Sequence, residues 1–183
     1  MMSLLARTVC GLTALCFLSV PAGAGFEAFH DGPVVSVGGR IATVTEAAAI
    51  PAGTKFKAVF DVADGAKPGK LNRGMDSAAR FINMHVEAGV PRENIKVAVV
   101  IHGTATLDAL NRKAYSERKG VDSRNASLIA ALASEDVDII LCGQSAAFHD
   151  VTSEDVVRGV TLALSAMTAH AQLQQAGYTL NPF

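Results

Sequence analysis

The 183-residue chain has no tryptophan, two tyrosines and three cysteines, and aromatic side chains make up 5% of it. Charge is sparse as well, at 18%, with 16 basic against 17 acidic side chains. No basic face or stripe emerges along the sequence, which argues against a nucleic-acid partner. No C-x-x-C pair occurs, so dithiol exchange of the thioredoxin type is excluded. Other motifs fail on spacing. In "GAKPGK", Gly65 and Gly69 enclose three residues where a phosphate loop needs four, and Leu71 stands at its Ser/Thr position. "GQSAA" lacks the second glycine of a nucleophile elbow. His30, His85 and His170 show no ligand spacing, and the pair His149–Asp150 is too little for a metal, so neither a metal site nor a cofactor is expected.

One long apolar run is present, at the start. Arg7, the 13-residue stretch "TVCGLTALCFLSV" and the small residues Ala22 and Ala24 read as an export signal over residues 1–24. The run is shorter than the roughly 20 residues that span a bilayer. Leu15 before Cys16 does not suit a lipoprotein signal. Cleavage before Gly25 predicts a periplasmic or secreted product of about 159 residues, without a membrane segment and long enough for one well-covered core. Loss of Arg7 leaves 15 basic against 17 acidic side chains. Cys10 and Cys16 leave with the signal, so Cys142 remains alone, either as inert core filler or as a reactive thiol.

Residues 25–54 are turn-rich ("HDGP", "GGR", "IPAG") and predict an extended arm with a hairpin around Gly38 and Gly39. Residues 55–183 form the domain. "FKAVFDV" (56–62) is a strand, and Leu71, Met75, Ala78, Ala79, Ile82 and Val86 recur at helical spacing until Gly89 and Pro91. "IKVAVVIHG" (95–103) is apolar enough to be buried on both faces, as in a parallel sheet. A polar helix over "LDALNRKAYSERKG" follows, then a helix in "SRNASLIAALASED" capped by Asn125, an economical reason for the Asn125-Ala126-Ser127 sequon. "VDIIL" is the next strand and "TSEDVV" opens with a cap. "GVTLAL" reads as a strand, "SAMTAHAQLQQAG" as a helix and "YTLNP" as a last strand; alternatively 154–176 is one helix. The alternation predicts an α/β fold, a three-layer α/β/α sandwich of flavodoxin-like type with a mainly parallel sheet of about five strands.

Ligands in such sheets bind outside the carboxyl ends of the strands. Two ends carry reactive side chains, His102 after "VAVVI" and Cys142 after "VDIIL". On neighbouring strands, about 4.8 Å apart, both would reach one ligand. Gly143 permits a tight turn, and a short helix from "GQSAAF" would aim amides at the sulfur and lower its pKa. Gln144, Ser145 and His149 share that loop as candidate polar contacts. The alternative is that Cys142 ends the core and His102 caps a loop carbonyl.

"VVIHG", "NASLIAAL", "VDIILCGQS" and "ALSAMTAHAQLQQAGYTLNP" together resemble the DsrE/DsrF-like family, in an exported branch, over residues 55–183. The resemblance implies a compact α/β sandwich that forms homo-oligomers, trimers or hexamers. It also implies a strand-end cysteine that takes up and passes on a persulfide, the place held here by Cys142. Partners would be a sulfur donor or acceptor protein, or a small thiol. The competing expectation is an oligomeric module that binds a small ligand or a protein without catalysis.

Overall fold

The structure is a computed structural model and describes residues 25–182. The expected export signal lies outside the described residues. Among those described, no helix is long and apolar enough to cross a membrane.

Five strands form one parallel sheet: β1 (Phe56–Val62), β2 (Ile95–Ile101), β3 (Asp138–Cys142), β4 (Val160–Ala163) and β5 (Thr179–Asn181), in the order β4-β3-β2-β1-β5. The helices are α1 (Arg73–Glu87), α2 (Arg112–Lys119), α3 (Asn125–Ser134), α4 (Gly143–Phe148) and α5 (Ala166–Gln175). From β1 to β4 the chain steps steadily one way across the sheet, and then α5 carries it back past β1 to β5. Right-handed crossovers running in opposite directions must lie on opposite faces of a sheet. Helices α1 and α3 therefore cover one face and α5 the other.

β2 shows why the sheet is apolar throughout. Val97, Val99 and Ile101 pack under α1 and α3, whereas Ala98 and Val100 pack under α5 with Val59, Ala169 and Leu173. Side chains alternate between the faces of a strand, so a run with no polar position satisfies both layers. Each fully buried aliphatic side chain contributes about 1.5–3 kcal/mol. In the layer next to α5, small Ala98, Ala166 and Ala169 let the helix approach closely, and Cys142 belongs to that cluster.

The segment 158–164 contains strand β4 and is followed by the separate helix α5, whose start is capped by Ser165 Oγ accepting from Thr168 N. Three local expectations are corrected. Asn125 is not the cap of α3: Arg124 holds that position, Ser123 Oγ accepts from Ala126 N, and the fully buried Asn125 side chain accepts from Asn72 N through Oδ1. The polar helix expected from Leu107 starts only at Arg112, after a 3-10 stretch, Gly103–Ala109. "TSEDVV" opens no helix, because Thr152 N and Oγ1 both bond Asp155 Oδ2 and close a turn instead.

The arm folds onto α1. One antiparallel bridge joins His30 to Ile41, and Asn83, with no exposed surface, holds the intervening loop. Its Oδ1 accepts from Val34 N and Val35 N, and its Nδ2 donates to the carbonyls of Val35 and Gly39. Gly39 takes φ +65, and a Cβ there would stand 2.5 Å from Arg80 N, so the turn requires glycine.

Candidate functional site

The carboxyl ends of β3, β2 and β1 place three chemically active side chains in a row. Ile101 pairs with Leu141, so the next positions, His102 and Cys142, stand side by side across the β2–β3 ladder. Asp61 lies one residue before the end of β1. Alternation puts all three on the α5 face.

Cys142 is the last residue of β3 and the N-cap of α4. The residue is 5% exposed, so the thiol is recessed. Burial pushes the thiol up, but the Ser145 hydroxyl and the N–H groups of Ser145, Ala166 and Gln144 stabilise the thiolate by more, and the net value falls below that of an ordinary thiol. These amides come from the starts of two helices, α4 and α5, whose dipoles also favour a negative charge. Ser145 is oriented by the loop after β2, since its Oγ accepts from Gly103 N at 3.1 Å, which leaves its proton free for the sulfur. A Cβ on Gly143 would stand 2.7 Å from the Ala163 carbonyl oxygen, so only glycine lets α4 start this close to the end of β4.

The remaining loop candidates bond backbone carbonyls around the site. Gln144 Nε2 donates to the Leu164 carbonyl at 3.3 Å, and His149 Nε2 donates to the Gly103 carbonyl at 3.1 Å. Gly103 is thus held on both sides, at φ +54. Exposed Phe148 ends α4, Leu164 directly follows β4 and Met167 lies in the first turn of α5, three apolar side chains on the segments that bound Cys142.

His102 turns toward β1 and away from the thiol. Its Nε2 lies 3.0 Å from Asp61 Oδ1, and the same oxygen lies 2.7 Å from Nε2 of His170 on α5. An ionised carboxylate only accepts, so both Nε2 atoms carry the hydrogen that bonds it. His170 Nδ1 is buried without a hydrogen-bond partner. Burial raises the Asp61 carboxyl, while the bonds from His170 and His102 lower it by more, leaving it below the ordinary carboxylate value. Among the described residues no group of three or more His, Cys, Asp or Glu side chains has the arrangement to hold a metal ion.

Asp61 and His170 were not foreseen from sequence. The signal for Asp61 is an acidic residue near a strand's end on the face shared with Val59, which is fully buried. His170 carries no such signal, because only the path of α5 brings it over β1. A cleft of about 430 Å³ opens beside Asp61, lined also by Asp64, Asn72 and Arg73. The larger cleft, about 600 Å³, lies by Lys55 and Phe56 at the opposite end of β1 and contains none of these groups.

The model of the DsrE/DsrF-like family matches residues 55–182. Two solved structures share the fold. A protein of unknown function from Methanobacterium thermoautotrophicum, MTH1491, aligns with TM-score 0.53 and 15% identity over 70% of this chain and 100% of its own. The ychN protein from E. coli aligns with TM-score 0.51 and 16% identity over 70% of this chain and 100% of its own. No curated protein matches the sequence.

Proposed function

We propose that this chain, which belongs to the DsrE/DsrF-like family, is a thiol carrier that takes up sulfane sulfur on Cys142 and hands it to a partner protein or small thiol. The observation that carries the reading is the thiolate-stabilising seat of Cys142, where amides of two helices and the Ser145 hydroxyl meet one sulfur. A thiolate attacks the outer sulfur of a persulfide R–S–SH, the donor S–S bond breaks, R–S⁻ departs, and Cys142 holds the persulfide. With no second cysteine in residues 25–183, release requires an external thiol.

The reading includes export, supported by the apolar run before Ala24, and assembly into a trimer or hexamer, supported by the family and by exposed Phe148, Leu164 and Met167. The second reading, a binding module without catalysis, is favoured by one observation: Cys142 is almost fully buried within an apolar cluster.

Intact mass of native protein purified without reductant tests the carrier. The expected result is an adduct of one added sulfur atom on Cys142, renewed by incubation with glutathione persulfide. A thiol that reacts with iodoacetamide only after denaturation would leave the binding module standing.

A further inference from the structure

We infer that the cleft between the N-terminal arm and the starts of α1 and α3 binds a small aromatic carboxylate, held by the Arg124 guanidinium and the stacked rings of Phe26 and Phe29.

The cleft measures about 460 Å³, inside the range of roughly 300–1,000 Å³ usual for small-molecule sites. The arm gives it an aromatic wall, and α1 with the residue before α3 gives the facing one. The arm lies before residue 55, outside the family match. The cleft is on the α1 and α3 side of the sheet, and Cys142 is on the other, so the inference does not depend on the carrier reading.

The arm is pinned in place. Besides the four bonds of buried Asn83, Gly39 N donates to Asp76 Oδ1 at 2.7 Å, and Arg80 Nε donates to the Arg40 carbonyl at 3.0 Å. A wall fixed in advance binds a ligand without the entropy loss of ordering it.

Three guanidiniums share the cleft with two carboxylates. Asp76 Oδ2 accepts from Arg80 Nη2 at 2.9 Å, and Asp31 Oδ1 lies 3.7 Å from Arg40 Nε. Arg40 also donates to the Phe29 carbonyl. Those contacts fasten the arm. The Arg124 guanidinium has no hydrogen-bond or ion-pair partner among the described residues, and at the N-cap position of α3 it makes no side-chain cap bond. One positive charge is therefore left without a counter-ion. A guanidinium presents its N–H groups as a planar fork that matches the two oxygens of a carboxylate.

The apolar part of the cleft is equally specific. Phe26 is 74% exposed, yet its ring is held in orientation. It stacks on Phe29 with centroids 6.5 Å apart and planes 19° from parallel, and the Arg40 guanidinium lies 4.8 Å from its centre. Exposed Val37 and half-buried Leu71 extend this surface. An oriented aromatic pair favours a flat ring in offset stacking. An aromatic monocarboxylate satisfies both halves of the cleft, whereas an inorganic anion leaves the rings in water and a neutral arene leaves Arg124 unpaired.

Isothermal titration calorimetry of the native protein with 2-naphthoate tests the inference. Saturable binding is expected, with a Kd of about 1 mM or below. Arg124→Ala should weaken it at least about 10-fold, the usual scale for a lost charge-assisted contact. Arg124 is exposed and makes no side-chain bond, so the variant keeps the fold. Phe26→Ala, also at an exposed position, should weaken binding about 3-fold or more. 2-Naphthamide keeps the ring without the charge and acetate keeps the charge without the ring; each should bind at least about 10-fold more weakly than 2-naphthoate. Absence of saturable binding to wild type would overturn the inference, as would undiminished binding to Arg124→Ala, which places the ligand elsewhere. Equal affinity for 2-naphthamide or for acetate would overturn the aromatic carboxylate as its ligand. Persulfide loading of Cys142 is unaffected by any of these outcomes.

Discussion

His170 Nε2 on α5 stands 2.7 Å from Asp61 Oδ1 on β1, across 109 positions of sequence. The bond fastens the helix covering one face of the sheet to the end of a central strand, and the start of that helix supplies the Ala166 N–H to Cys142. Stability and thiol chemistry therefore meet at one carboxylate.

Asp61 should leave a signature in acid. Its folded value lies below the ordinary 3.8, so it contributes stability that is fully present above that pH and is lost as pH falls through the folded value. The carboxylate is partly exposed, and solvent screening limits its contribution to about 1 kcal/mol. Urea midpoints should place Asp61→Asn below wild type near neutral pH and converge with it in strong acid.

Cys142→Ser should fold within about 1 kcal/mol of wild type, because a serine hydroxyl accepts from the same amides and is a favoured N-cap for α4. Persulfide loading, read by intact mass, should disappear. A large loss of stability with no loading in wild type is the outcome that contradicts a functional thiol.

Gly143→Ala should cost about 1–3 kcal/mol, since its Cβ meets the Ala163 carbonyl at 2.7 Å and α4 must shift. The same shift moves the Gln144 and Ser145 amides away from the sulfur. Thermal melting and the pH at which iodoacetamide alkylation reaches half its maximal rate should therefore change together, the latter moving upward.

Asn83→Ala should cost about 3 kcal/mol by stranding the backbone groups of Val34, Val35 and Gly39. Limited proteolysis should then cut the loop between His30 and Ile41 much faster than in wild type. Thiol reactivity should be retained, because the arm packs against α1 on the other side of the sheet from Cys142.

Asp108 should behave oppositely to Asp61. Burial pushes its carboxyl above the ordinary 3.8, against the hydrogen bonds from Ala66 N and Asn72 Nδ2. Its ionisation therefore removes stability as pH rises through the folded value. Asp108→Asn should flatten the wild-type decline in urea midpoint as pH rises above 3.8.

Local pattern was enough for much of this protein. The apolar run of β2, the helical spacing from Leu71 to Val86 and the strand-end positions of His102 and Cys142 follow from side-chain periodicity and backbone geometry, which act between near neighbours. The short helix after Cys142 was likewise legible, because Gly143 and the small residues behind it permit a tight start. Asn125 misled for a physical reason: a cap and a buried tertiary acceptor look alike in sequence, and only the approach of Asn72 separates them. The histidine–carboxylate cluster was out of reach altogether. Strand order sets β1 beside β2, and the return crossover lays α5 over β3 and β2 with His170 reaching β1, so the bonds of Asp61 to His102 and His170 exist only after the sheet is assembled. That is why sequence identified the thiol as a candidate, and tertiary structure decided what surrounds it.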